Sequence, residues 1–407
     1  MRPSIRRVAG NVLQNASSRS YGVRLPNLPT LRHLLTIGDL KPTEFAQLIL
    51  DAAFLKKAIK HGYYPEGLKD RLLGRTVALM FSKRSTRTRV STEAAVQMMG
   101  GHPMFLGKDD IQLGVNESLH DTARIISSMT TCIVARVGPH EDVVNLARHS
   151  SVPVINALSN DFHPLQTIAD FVTMHEVFTQ AFQGVQTGSP KADVVPAGLK
   201  VAWIGDANNV LFDLAIGCIK LGLHISVATP PDYRIPEGMM AFIKKQADSV
   251  LTPGTISEYT VPEEAVKDAD VIVTDTWVSM GQEEEAQKRL KAFAGFQVTE
   301  ELAKRGGAKP EWRFMHCLPR HSEEVSDEVM YGPRSLVFQE GENRLWAAAA
   351  VLQKYIPHKK PYNLTESTDI TKMGAAPRRK IPNNQERLSN GGRLSNPAHG
   401  SYPFKAW

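Results

Sequence analysis

Residues 76–81 (TVALMF) form an apolar run of strand length. Directly after them the apolar positions take helical spacing, at Val90, Ala94, Ala95, Met98 and Met99, until Gly100 and Gly101 stop the pattern. This alternation recurs along the chain. A Pro-Thr-Glu opening at residue 42 leads into a helix to residue 62 with Phe45, Leu48, Ile49, Ala52, Leu55 and Ile59 on one face. Strands are predicted over 104–106, 131–137 and 152–158, with helices over 121–128 and 140–149 between them. A long helix over 166–178 precedes a polar Gly/Ser/Pro-rich loop over 183–196. A second series follows, with strands over 201–204, 224–228, 270–274 and 335–338 and helices over 209–221 and 343–356. Such alternation predicts an α/β fold of two doubly wound units, each a parallel sheet flanked by helices, joined by long helices.

At 407 residues the chain has length for two cores, and no apolar run approaches the roughly 20 residues that span a bilayer. The formal charge of +6 sits at the ends: residues 1–38 hold six arginines and no acid, and residues 358–407 hold nine Lys or Arg against three acids. The acidic body between them speaks against a nucleic-acid-binding face. Cys132, Cys218 and Cys317 are far apart, with neither CxxC nor metal-ligand spacing, so neither a disulfide framework nor a metal site is expected. Residues 1–24 are rich in Arg and Ser, with Ile5, Val8, Val12 and Leu13 able to form one stripe. That is the pattern of a mitochondrial transit peptide, with a plain basic arm as the alternative, and it predicts the mitochondrial matrix. Residues 358–407 have too few large apolar residues for a core and are expected to be a disordered basic tail.

The run Ser85-Thr86-Arg87-Thr88-Arg89 lies between a predicted strand and helix. First-turn amides have no intrahelical acceptor and the helix dipole there favours an anion, while an arginine adds a planar fork of donors. On this segment alone, a helix cap with solvated arginines is the competing reading. Arg136 closes the run TCIVARV, His163-Pro164-Leu165-Gln166 follows strand 152–158, and Asn208-Asn209 follows strand 201–204. Asp275 opens DTWVSMG after VIVT, and Cys317 lies in FMHCLPRH. Ligands of open α/β sheets bind beyond the carboxyl ends of strands, where all of these fall. A dinucleotide-binding unit is disfavoured because VAWIGDANNV lacks the GxGxxG turn.

The segments STRTR, HPLQ, DTWVSMG and HCLPR, in this order, resemble the aspartate/ornithine carbamoyltransferase family over about residues 34–356. DTWVSMG, and Cys317 in place of the aspartate branch's proline, are similar to the ornithine branch. The resemblance implies transfer of the carbamoyl group of carbamoyl phosphate to the δ-amine of L-ornithine, giving L-citrulline and phosphate, with no cofactor and no metal. It implies that Ser85, Thr86, Arg87, Thr88, Gln112, Arg136, His163, Gln166, Cys317, Leu318 and Arg344 bind carbamoyl phosphate, with Arg320 adding a contact. Asn209, Asp275, Ser279 and Met280 would bind ornithine. Arg136, Asp275 and Cys317 are the implied catalytic residues. Arg136 polarises the carbonyl, and Asp275 and Cys317 accept the amine's proton, the thiol having a lowered pKa beside cations. Which of the two takes the proton stays open. Gln112 aligns with a loop donated across a subunit interface, which implies a homotrimer. The implied division is a carbamoyl phosphate domain over 25–166 plus 335–357 and an ornithine domain over 167–334.

Overall fold

Buried aliphatic runs become strands, and the one-sided runs between them become helices. The computed structural model describes residues 31–108, 110, 117–181, 194–278 and 285–357. The first series is α1 (Pro42–Lys60), β1 (Thr76–Phe81), α2 (Arg87–Met98), β2 (His102–Gly107), α3 (Leu119–Met129), β3 (Cys132–Arg136), α4 (His140–His149), β4 (Val154–Leu158) and α5 (Pro164–Ala181). Its strands form a parallel sheet in the order β2-β1-β3-β4.

The second series opens with β5 (Lys200–Ile204), α6 (Asn209–Leu221), β6 (His224–Ala228), α7 (Glu237–Lys245), β7 (Thr255–Tyr259), α8 (Pro262–Val266) and β8 (Val271–Thr274). It continues with α9 (Ala286–Ala292), α10 (Glu300–Gly306), β9 (Arg313–His316), α11 (Asp327–Tyr331) and α12 (Val337–Tyr355). Here the parallel order is β7-β6-β5-β8-β9. The fold is thus α/β with two doubly wound parallel sheets.

Two long helices join them. α5 packs on α1, α6 and β4, and α12 packs on α1, α2, α5 and β9. Phe45 of α1 meets Phe171 of α5 edge to face, with ring centroids 5.0 Å apart. The Ala347, Ala348, Ala349 and Ala350 run of α12 is fully buried, which lets neighbouring backbones approach closely.

Two expectations change, and one strand was not foreseen. Residues 335–338 are not a strand: Ser335 makes one isolated bridge to Phe314, and Val337 already belongs to α12. The sequence SLVF has strand propensity, but it meets β9 only at Phe314, through Phe314 N–H to Arg334 and Leu336 N–H to Phe314, before the chain turns into the helix. The buried stripe of α2 is Thr88, Ser91, Thr92, Ala95 and Val96, while Val90 is 62% exposed. Small and hydroxyl side chains turn inward because α2 lies on the alanine-rich α12. β7 was not legible, since TISEY has no buried apolar run. The expected transit peptide over 1–24 and tail over 358–407, and most of the polar loop over 183–196, lie outside the described residues.

Asp213 on α6 is fully buried and accepts hydrogen bonds from the Thr36 hydroxyl at 2.6 Å and the Ile37 amide at 2.9 Å. Its Oδ2 has no partner among the described residues. Burial, opposed by these hydrogen bonds, raises the carboxyl to about 7. The unfolded chain releases this proton near pH ~4, so between there and neutrality the folded state holds the extra proton and stability falls as pH rises. Asp213→Asn should remove this loss, gaining ~1–3 kcal/mol over the native chain on going from about pH 5 to about pH 8. Urea melts at the two pH values test this, and an unaltered pH dependence would refute it.

Candidate active site

Strand order fixes where the site lies. In the first sheet the order reverses between β1 and β3, and in the second between β5 and β8. At such reversals the loops leaving adjacent strands diverge and open a crevice. Phe81 pairs with Arg136, so the STRTR loop leaves β1 beside the Arg136 side chain. Thr274 pairs with His316, so Asp275 and Cys317, the next residue on each strand, emerge side by side.

Arg136 is almost wholly buried, as is Arg344 on α12, and Arg87 opens α2 between them. Among the described residues none of the three makes an ion pair with a carboxylate. Arg344 donates to Gln166 Oε1 at 2.7 Å and to Thr88 Oγ1 at 3.0 Å. Arg87 donates to the Leu318 carbonyl. Burial first, then repulsion from Arg87, lowers both Arg136 and Arg344 to about 10. Both remain cationic at neutral pH, and Thr86 at the α2 N-cap makes no side-chain cap. Three mutually repelling guanidiniums beside uncapped helix amides form a strong anion site.

The HPLQ segment forms the wall of this site. His163 is buried, and its Nδ1 has no partner among the described residues. Burial, then Arg344, Arg136 and Arg87, push its pKa well down, so the ring is neutral and has one N–H to donate. Gln166 is more constrained. Its Nε2 donates to Asp170 at 2.7 Å and to Glu340 at 2.8 Å, while its Oε1 accepts from Arg344. Both amide hydrogens are committed, and only a lone pair on Oε1 is left for a ligand.

Across the crevice, Cys317 Sγ donates to Asp275 Oδ1 at 3.0 Å, and Asn208 Nδ2 donates to Asp275 Oδ2 at 2.8 Å. Asn208 also caps α6 by accepting from the Val210 and Leu211 amides. Gly205, at φ 143° after β5, brings the loop against Thr274, where a Cβ would lie 3.1 Å from Oγ1. His316 Nδ1 accepts from the Leu318 amide at 2.9 Å, so its Nε2 carries the proton shared with Glu324 at 3.1 Å. That bond and the Arg87 contact hold Leu318 in the left-handed region, at φ 61°. The expected lowering of the Cys317 pKa is overturned. Enclosure by protein and the Asp275 carboxylate raise it well above a free thiol, and Arg87 only partly opposes them.

Residues 32–176 match the family model described as the aspartate/ornithine carbamoyltransferase carbamoyl-P binding domain, and residues 197–355 match its Asp/Orn binding domain. The chain belongs to the aspartate/ornithine carbamoyltransferase family. It is 63% identical over 338 residues to the mitochondrial ornithine carbamoyltransferase of Coccidioides immitis, covering 83% of this chain and 96% of that one. It is 59% identical to the mitochondrial enzyme of Aspergillus niger, covering 88% and 94%. Among solved structures, a Coccidioides immitis mitochondrial ornithine carbamoyltransferase superposes with TM-score 0.73 at 61% identity, over 80% of this chain and 98% of that one. The Pyrococcus furiosus enzyme gives 0.71 at 42% identity, over 81% and 98%.

Within this carbamoyltransferase fold, most of the sequence-predicted site residues converge. Ser85, Thr86, Arg87 and Thr88 stand at the start of α2, with Arg136, His163, Gln166, Leu318 and Arg344 around them. Gln112, Ser279 and Met280 lie outside the described residues. Asn209 donates to the Ser159 carbonyl at 2.5 Å, tying α6 to the loop after β4. Arg320 is spent elsewhere: it donates to the Val325 carbonyl at 2.7 Å and pairs with Asp327 at 2.5 Å. Asp170 and Glu340 were not anticipated. Asn208 was read only as part of the Asn208-Asn209 pair beyond a strand end, without its contact to Asp275.

An anion should stabilise the arginine cluster. Millimolar inorganic phosphate should raise Tm in a concentration-dependent way. Arg87→Ala should abolish most of that rise, and Arg87→Lys should restore little of it, because a point charge cannot copy the guanidinium fork. An equal phosphate response in Arg87→Ala would remove this loop from the anion site.

Proposed function

We propose that the chain transfers the carbamoyl group of carbamoyl phosphate to the δ-amine of L-ornithine, releasing L-citrulline and phosphate. The observation that carries this reading is the Asp275–Cys317 pair set at 3.0 Å opposite an arginine cluster with which no carboxylate pairs among the described residues. Phosphate oxygens would bind Ser85, Thr86, Arg87, Thr88 and Arg344. Arg136 and the neutral His163 would donate to the carbamoyl oxygen, stabilising the oxyanion of the tetrahedral intermediate. The free lone pair of Gln166 and the Leu318 carbonyl suit the carbamoyl –NH2, which can only donate.

Ornithine would approach from the second sheet. Asn209, Ser279 and Met280 would hold its α-amino acid end, leaving the δ-amine to Asp275 and Cys317. The amine attacks the carbonyl carbon, the C–O bond to phosphate breaks, and the amine's proton must leave. A thiol that already donates to Asp275 is a poor acceptor, so Asp275 takes the proton while Cys317 orients its carboxylate.

In this reading residues 25–166 and 335–357 would serve carbamoyl phosphate and 167–334 ornithine. The second family model runs on to residue 355, yet α12 packs on α1, α2 and α5 and carries Arg344 to the phosphate site. The acid-free arginine-rich N-terminus, together with relatives named mitochondrial, supports removal of residues 1–24 on import into the matrix. A homotrimer sharing Gln112 between subunits suits the exposed Val90, Ile125 and Met129 on α2 and α3.

Purified protein given carbamoyl phosphate should form citrulline from ornithine and should not carbamoylate aspartate or putrescine; no citrulline would overturn the proposal. The δ-amine resembles a lysine amine of pKa about 10.4, and only the neutral amine attacks. At saturating carbamoyl phosphate, kcat/KM for ornithine should therefore climb roughly tenfold per pH unit below the relevant pKa. A flat profile would exclude amine attack as the activated step. Asp275→Asn should lower kcat by ~10²-fold or more, as expected for loss of a general base. Cys317→Ser should cost less and leave carbamoyl phosphate affinity unchanged in calorimetry; wild-type turnover of ornithine would make Cys317 purely structural.

A further inference from the structure

Behind the arginine cluster lies a pair of acids that no step above uses. Asp170 on α5 and Glu340 on α12 are both buried and both touch one nitrogen, Gln166 Nε2, at 2.7 and 2.8 Å. Glu340 Oε2 accepts the His316 amide at 2.9 Å. The donors given to the two acids among the described residues are neutral amides, and neither acid forms a salt bridge. The charged or titratable groups facing the pair are Arg344 from α12, Asp275 after β8, Cys317 after β9 and Cys218 from α6. Only Arg344 is cationic, and it reaches them through Gln166. Two adjacent buried carboxylates cannot both ionise on such terms.

We propose that Asp170 and Glu340 share one proton and act as a positioning pair, locking the Gln166 amide so that its oxygen faces Arg344 and the carbamoyl group. The amide cannot flip. Reversed, it would aim its oxygen at two acids and its N–H groups at a guanidinium. The lock runs through Glu340 to the backbone of His316, so one buried acid pair aligns α5, α12 and β9 at the site. Burial, followed by the repulsion between the two acids, raises Glu340, and burial raises Asp170, consistent with a retained proton.

The sharing of the proton stands or falls independently of the transferase reading above; the positioning of the carbamoyl group rests on that reading. Infrared spectra of the native protein at about pH 8 should therefore show the carbonyl band of a buried carboxylic acid, and Asp170→Asn should alter or remove it. Its absence in the folded native protein would overturn the proposal, whatever the enzyme's activity. Calorimetry with carbamoyl phosphate tests the positioning. Asp170→Asn mimics the protonated acid and should keep the affinity within about threefold, whereas Asp170→Ala leaves a Gln166 N–H unpaired and should lose ~10-fold or more. An equal loss in Asn and Ala variants would mean that a negative charge is required at residue 170, and would sink the shared proton. If the band is present and carbamoyl phosphate does not bind at all, the transferase reading fails and the acid pair stands.

Discussion

The construction of the site rests on the hydrogen bond between Arg344 and Gln166, at 2.7 Å. It links the two long helices, α5 and α12, at the point where each presents its functional side chain to the first sheet. Neither helix could make it without the packing beneath: Phe171 against Phe45 seats α5, and the alanine run lets α12 lie close. Thr88 adds the third corner by accepting from the same guanidinium, which fixes the start of α2 where first-turn amides are free. The helix packing and the anion site are therefore one construction. A change that moved α12 outward would detach Arg344 from both neutral acceptors and leave its N–H groups unsatisfied, which is destabilising.

Electrostatics divide the site into two unlike halves. The first sheet contributes cations that burial makes reluctant to be charged, and the second contributes a carboxylate held by Asn208 and a thiol. Neither half is neutralised by its own side of the crevice. A ligand with a phosphate at one end and an incoming amine at the other would relieve both. The raised thiol also changes the reading of the HCLPR segment, since a sulfur that keeps its proton serves better as a donor that orients a carboxylate than as a base.

Much of this was legible in the chain. Continuous apolar runs such as TVALMF and VIVT gave β1 and β8, and the helix expected over 209–221 matches α6 to the residue. Motifs at strand ends gave Arg87, Arg136, His163, Asp275 and Cys317, because local spacing and strand position carry that information. Asp170 and Glu340 were invisible for the opposite reason. They are 170 residues apart in sequence, neither lies in a recognisable motif, and only the packing of α5 on α12 makes them one unit. SLVF misled because its β-branched and aromatic residues favour a strand, while its single bridge to Phe314 could not extend into one. The direction of the thiol shift was also beyond the sequence: nearby arginines were readable, but enclosure and the contact with Asp275 were not.

The parallel register of β8 on β9 has a consequence for how this architecture tolerates change. Asp275 and Cys317 meet because each follows a paired residue, Thr274 and His316, and not because of the length of chain between them. The length of the connection does not set that juxtaposition, although α9 is itself tied to the second sheet by Arg289, which pairs with Asp206 at 2.9 Å. A one-residue deletion inside β9 would break the juxtaposition. It would turn the side chains that follow it to the opposite face and carry the sulfur away from its carboxylate. The short bridge from Ser335 to Phe314 guards against such slippage, pinning the outer edge of β9 just before the chain turns into α12.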